Sequence, residues 1–386
     1  MTTQQPSLFE GERLRLDDAI ELSLDSLRAY GADYEHWAVA YSGGKDSSAT
    51  VTFIAWALRN RLIPRPESLT VLYADTRMEL PVLQNIAYRL LTELIQHGYG
   101  ARIVLPPVDE RFFVYMLGYG VPPPSNTFRW CTGQLKVEPM LAALQELRHQ
   151  ADHKILMLTG VRLGESAARD QRIALSCSRD AGECGQGWFQ HAPSDAIADT
   201  LAPLLHWRLC HVYDWLYFDE RNPYDVRAIA AIYGDGEVRT GCVGCNLASR
   251  DTALERLIRH PDWAHLFPLL ELRPLYAELK QAHWRKRKAA PEQLKDGSYS
   301  KNGQRMGPLT MAGRAYGLER VLDIQRRAGV DLINPEEEAR IREMWRLNLW
   351  PRKWSDADIA ADQPIARIDA TPAGLVTQAL LVEDVQ

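Results

Sequence analysis

The stretch that most constrains the fold is Trp37-Ala38-Val39-Ala40-Tyr41-Ser42-Gly43-Gly44-Lys45-Asp46-Ser47-Ser48. A short apolar run ends in a polar turn with two glycines. Residues 49–58 follow with the length and residue types of a buried helix. The order strand, loop, helix predicts an α/β chain. The glycines let the backbone turn tightly and leave N–H groups bare. Ser42, Ser47 and Ser48 add hydroxyl donors, and the helix turns the positive end of its dipole to the loop. Such a loop is a cradle for phosphate, though without the G-x-x-x-x-G-K-[ST] spacing of a Walker A loop. The plainer reading is a strand-to-helix turn rich in small residues.

Two further β-type runs, residues 68–76 and 101–106, alternate with a helical pattern over 83–95. This predicts βαβ units, hence an α/β fold with a parallel twisted sheet flanked by helices. Asp75 falls at the carboxyl end of its strand, where open α/β sheets bind ligands. Residues 13–30 read as an amphipathic helix, 139–149 as a helix and 154–161 as a strong strand. Residues 118–126, with three prolines, make a loop. The expected organisation is an N-terminal helical segment (1–34), a nucleotide domain (35–235), a helical, cysteine-containing basic region (236–365) and an acidic, Ala-rich tail (366–386). A net charge of −5 gives no global attraction to nucleic acid, so such binding would need a local basic patch. Residues 283–288 with Lys295, Lys301, Arg305 and Arg314 read either as that patch or as a solvated helix face. No apolar run approaches ~20 residues and the N-terminus lacks signal-peptide features, so a cytoplasmic protein without membrane contact is expected.

Six cysteines in a reducing compartment point away from disulfides. Cys210 reads as a plain buried thiol. Cys242-x-x-Cys245, flanked by glycines, lets two thiolates converge, and Cys177 and Cys184 supply a second pair. Four thiolates suit zinc or an iron–sulfur cluster, and their spacing leaves both open. Cys131 lies between Arg129 and Lys136, cations that favour the thiolate.

Ser-Gly-Gly-Lys-Asp-Ser at 42–47 resembles the PP-loop of the ATP pyrophosphatases, which split ATP into AMP and pyrophosphate. Arg129-Trp130-Cys131-Thr132, Lys136-Val137-Glu138-Pro139, Gly160-Val161-Arg162 with Glu165-Ser166, and residues 203–216 resemble the phosphoadenosine phosphosulfate (PAPS) reductase family. Within it they are most similar to the DndC/SspD branch of DNA phosphorothioation, over about residues 35–330. The resemblance implies an adenine nucleotide alpha hydrolase-like fold that uses ATP and Mg²⁺. Ser42, Gly43, Gly44 and Ser47 would hold the leaving pyrophosphate, Lys45 would neutralise its charge, and Asp46 would orient the loop or help hold Mg²⁺. Asp75 and Gly160 would border the nucleotide. Arg162 would reach the α-phosphate or the acceptor; its plainer reading is a surface salt bridge. Cys177, Cys184, Cys242 and Cys245 would hold a [4Fe–4S] cluster, with zinc as the alternative. Cys131 would carry persulfide sulfur, or would be a ligand in place of Cys177. The branch's extra cysteines cluster just before its Cys-x-x-Cys, whereas here Cys177 and Cys184 precede the 203–216 segment. Implied partners are DNA, other DNA-modification subunits and a cysteine desulfurase as sulfur donor. The alternatives are a PAPS or APS reductase, disfavoured by the lack of a cysteine after Cys245, a tRNA-thiolating PP-loop enzyme, and a non-catalytic nucleotide sensor or DNA-binding subunit.

Overall fold

Trp37, Ala38, Val39 and Tyr41 are all buried in strand β1 (His36–Tyr41), as a central strand covered on both faces requires. The structure, a computed structural model, describes residues 14–165, 167–179, 187–193, 196–233, 240–294, 296–300, 305–363, 367–371 and 374–378. These fall into two compact units, one drawn from within 1–75, 81–104 and 139–236, the other from within 76–80, 105–138 and 237–386. The expected nucleotide domain of 35–235 is therefore interrupted: residues 76–80 and 105–138 group with the C-terminal part.

The first unit holds α1 (Leu16–Gly31), β1, α2 (Lys45–Arg59), β2 (Ser68–Ala74), α3 (Pro81–Gln96), β3 (Gly100–Val104), α4 (Glu138–Ala151) and β4 (Ile155–Leu158). Then come α5 (Ala167–Arg179), β5 (Trp188–Gln190), β6 (Ala198–Ala202) and α6 (Leu209–Tyr213). The sheet order is β3-β2-β1-β4-β6-β5, parallel except for β5. The parallel α/β sheet is the fold expected, while β5 and β6 arise from a stretch without a strand signal. After β3 the chain crosses to the other side of β1, so the carboxyl ends of β1 and β4 flank a topological switch point. One core layer joins Ala38, Leu72, Val104 and Ile155 of the sheet to Ala143 and Leu144 of α4. Elsewhere Phe53 of α2 meets Trp207 and Trp215 edge-on at 5.5 and 5.6 Å. The Trp215 indole N–H donates to Thr52 Oγ1 (2.9 Å) and that of Trp207 to Ser23 Oγ (2.9 Å). Cys210 is exposed rather than buried, because α6 turns the neighbouring His211 and Val212 inward and one step of a helix rotates by about 100°.

The second unit gathers sequence-distant pieces through ion pairs and backbone contacts. Arg340 forks onto Asp109 (2.7 and 2.8 Å), Arg111 reaches Glu337 (3.1 Å), and the Trp345 indole donates to the Leu117 carbonyl (2.8 Å). Its helices include α7 (Leu272–Glu278), α8 (Met311–Ala328) and α9 (Pro335–Arg346), the last opened by a reciprocal Asn334–Glu337 capping box. The basic run at 283–288 is not a helix. It forms β7 (Arg285–Arg287), paired with β8 (Met306–Leu309) and β9 (Ile359–Ala360). Arg285 and Lys286 are each only 7% exposed, and Arg314 is fully buried. Carbonyl oxygens and indoles take up their charge: Arg285 bonds the Gly307 carbonyl (2.6 Å), while Lys286 and Arg314 both lie over Trp350. These three cations are thus neither a solvated helix face nor an open patch; Lys295 and Lys301 lie outside the described residues. Where a loose tail was expected, β10 (Arg367–Thr371) and β11 (Gly374–Gln378) pair as antiparallel strands. Among the described residues no helix is long and apolar enough to cross a membrane.

Candidate functional site

In the first unit the loop after β1 takes the shape its glycines allow. Gly43 has φ +72°, a conformation that favours glycine, with Ala87, Leu83 and Tyr73 behind it. Gly44 is the N-cap of α2 and no side chain caps the helix there, which suits first-turn N–H groups for an anion. Ser47 Oγ donates to the Gly44 carbonyl (3.1 Å), accepts from the Ser42 N–H (3.2 Å) and lies 3.1 Å from Ser42 Oγ. The two serines thus pin the ends of the loop together.

Asp46 binds two cations. Its Oδ2 meets Lys45 Nζ at 2.8 Å, and its Oδ1 accepts from Arg162 Nε at 2.6 Å. Arg162 is 5% exposed and donates through Nη1 to the Trp207 carbonyl (3.0 Å), so it is not a surface salt bridge. One carboxylate therefore holds two positive groups at the phosphate loop. Gly160, after β4, plays a packing part: a Cβ there would stand 3.1 Å from Asp46 C, Asp46 O and Ser47 N. Asp75 is buried just beyond β2 and accepts hydrogen bonds from Tyr88 and Gln84 of α3. Sequence reasoning missed Tyr233, whose ring lies 5.0 Å from Lys45 Nζ and whose hydroxyl accepts from the Lys45 N–H at 3.4 Å. No local signal marks a residue so far along the chain.

In the second unit Cys242 and Cys245 lie on one turn, closed by the Cys245 N–H to the Cys242 carbonyl (3.0 Å) with Gly244 at φ +67°. The Val243 N–H donates to the Met78 carbonyl (2.6 Å), and Thr76 Oγ1 stands 4.0 Å from Cys242 Sγ. Lys136 has its pKa raised chiefly by Cys242, then by Glu79, Cys131 and Cys245, against partial loss of hydration of its ammonium group. Burial pushes the Cys242 thiol up to about 11, opposed by Lys136. Cys131, in the helical turn Trp130–Thr132, is also raised, by burial and then by Cys245. Its cationic neighbours were expected to lower it, but Lys136 contributes least. The structure thus draws Cys131 into the field of the Cys242–Cys245 pair. Cys184 and the Cys177 side chain lie outside the described residues.

A sequence profile of the phosphoadenosine phosphosulfate reductase domain matches residues 36–248, more than half of the chain. The chain belongs to this family. An uncharacterised protein of Methanocaldococcus jannaschii is 27% identical over 209 residues, which are 54% of this chain and 35% of that protein. The chain thus spans about a third of that relative's length. The PAPS reductase of Candida auris, solved with phosphate, aligns with TM-score 0.33 and 12% identity over 53% of this chain and 86% of that one. The U34-tRNA thiolase NcsA of Methanococcus maripaludis, solved with its [4Fe–4S] cluster, aligns with TM-score 0.35 and 13% identity over 68% and 79%.

In this member of the PAPS reductase family the soft donors Cys131, Cys242 and Cys245, with Lys136 beside them, suit iron–sulfur chemistry. A single tetrahedral zinc ion, with zinc–sulfur bonds of ~2.3 Å, needs its ligands about 4 Å apart. Among the described residues only Glu35, His36 and Glu67 bring three candidate donor atoms within 4.8 Å of one another. The cysteine sulfurs are spread more widely than that.

Proposed function

We propose that this protein is an ATP pyrophosphatase that couples AMP transfer to sulfur insertion, with a DNA backbone phosphate as acceptor. The observation that carries this reading is the Cys242–Cys245 turn, with Cys131 and Lys136 in its electrostatic field, in a chain with an intact Ser42–Ser47 loop. The likeness of residues 129–132, 160–166 and 203–216 to the DndC/SspD branch supports DNA as the acceptor.

The first N–H groups of α2 and the paired hydroxyls of Ser42 and Ser47 would hold the ATP phosphates, and Mg²⁺ would share in neutralising their charge. Lys45 and Arg162, both held on Asp46, meet the charge that grows on pyrophosphate as its bond to the α-phosphorus breaks. A non-bridging oxygen of the acceptor attacks the α-phosphorus, pyrophosphate leaves, and the acceptor carries AMP. A sulfide-level nucleophile then displaces AMP, exchanging a phosphorus–oxygen for a phosphorus–sulfur bond. Cys131, Cys242 and Cys245 are the residues that would hold a [4Fe–4S] cluster, which supplies a site for labile sulfur when bound. Sulfur would be drawn from a cysteine desulfurase as a persulfide; a thiol reductant would release it at the sulfide level, two thiols becoming a disulfide, and other DNA-modification subunits would present the DNA.

The test is pyrophosphate release by anaerobically purified protein, with the visible spectrum and mass spectrometry of nuclease-digested DNA. Ser47→Ala should lose pyrophosphate release. Cys131→Ser and Cys242→Ser should each lose absorption near ~400 nm and phosphorothioate dinucleotides, whereas Cys210→Ser should keep both. Thiolation of tRNA instead of DNA would move the acceptor to RNA. Sulfite release from PAPS would make the protein a reductase. Absence of pyrophosphate under all conditions refutes the ATP pyrophosphatase.

A further inference from the structure

Helix α7 carries Leu272 and Tyr276 one turn apart, hence on one face. Leu272 lies directly under the cysteine turn, since a Cβ on Gly244 would stand 2.7 Å from Leu272 Cβ. Tyr276 continues that face. It is 1% exposed, and its ring packs against Phe112 with centroids 5.8 Å apart. Its hydroxyl is buried without a hydrogen-bond partner among the described residues. A buried phenol normally finds a partner, and leaving it without one is destabilising. After burial, the groups that most affect this hydroxyl are Cys242 and Cys245. The phenol therefore lies within reach of the charge on the two thiols, on the helix face that packs under their turn, and has no partner among the described residues.

We propose that Tyr276 is a positioning residue whose O–H donates a hydrogen bond to sulfur in the group held by Cys131, Cys242 and Cys245. This rests on the iron–sulfur reading of those cysteines. A hydrogen bond to sulfur favours the more negative, reduced state, so Tyr276 raises the reduction potential of the bound group.

The experiment compares full-length wild type with Tyr276→Phe, which keeps the ring contact with Phe112. Both are reconstituted anaerobically with iron and sulfide, then titrated redox-spectroscopically, and the apo forms are melted alongside. The variant should bind as much iron as wild type, but its equilibrium constant for one-electron reduction should fall roughly tenfold, about 59 mV. The apo variant should be as stable as apo wild type or more so, because it loses only an unsatisfied hydroxyl. Equal potentials in two loaded proteins would overturn the proposal and leave Tyr276 as core packing. An apo variant clearly less stable than apo wild type would overturn it too, by showing that the hydroxyl already has a partner. A wild type that takes up no iron would overturn the cysteine reading itself, which separates the two failures.

Discussion

Gly160→Ala isolates the close approach on which the phosphate loop depends. Gly160 has no left-handed φ, so alanine there brings no backbone strain and only the contact changes. Its Cβ would lie 3.1 Å from three backbone atoms of Asp46 and Ser47, where carbon contacts prefer about 3.5–4.0 Å. The neighbours are main chain at the start of α2 and cannot swing aside as a side-chain tip would. The loop must retreat by about half an ångström. A misplacement of 1 Å costs up to ~10²-fold in rate, so half that distance should cost about tenfold in kcat/KM, or about 1.4 kcal/mol. Overpacking of this kind should also lower stability by about 1–3 kcal/mol. The assay is pyrophosphate release at varied MgATP, with urea unfolding of the same samples. Gly160→Ala with wild-type kcat/KM and wild-type stability would refute the packing argument.

Other perturbations test the remaining contacts. Asp46→Asn strips Arg162 of its charged partner and should cost about 3 kcal/mol in urea unfolding and about 10²-fold in pyrophosphate release; a small loss in both would show that Asp46 does not organise the two cations. Asp199 is buried, which raises its pKa, but hydrogen bonds from Lys154, Tyr34 and the Ala192 N–H overcome this and leave it below the usual carboxylate range. A lowered folded-state pKa stabilises the protein above the unfolded value near ~3.9, and that stability drains away as pH falls through the folded value. Acid unfolding curves should therefore be less steep in Asp199→Asn below about pH 4, and identical curves would contradict the linkage. Gly244→Ala meets both a left-handed φ of +67° and a 2.7 Å clash with Leu272, so it should cost about 2–4 kcal/mol and reduce iron uptake; normal uptake would place the cysteine group elsewhere.

The phosphate loop was legible because it is local: a strand, two glycines and a helix start are contiguous, and their geometry follows from backbone sterics and the helix dipole. The alternation of β1, α2, β2, α3 and β3 shows equally well in its periodicity. Three things were decided only by tertiary structure. Cys131 enters the electrostatic field of Cys242 and Cys245 across more than a hundred residues, a neighbour relation that the sequence offered only as one of two roles for this thiol. Arg162 becomes a buried partner of Asp46 because β4 lies beside β1 in the sheet, a neighbour relation that no periodicity encodes. Residues 283–288 look basic and solvent-seeking, yet Trp350, Trp354 and distant carbonyls draw much of their charge inward. Local sterics write themselves into adjacent residues. The partners of a thiol, a guanidinium or a phenol hydroxyl come from elsewhere in the chain and exist only once it has folded.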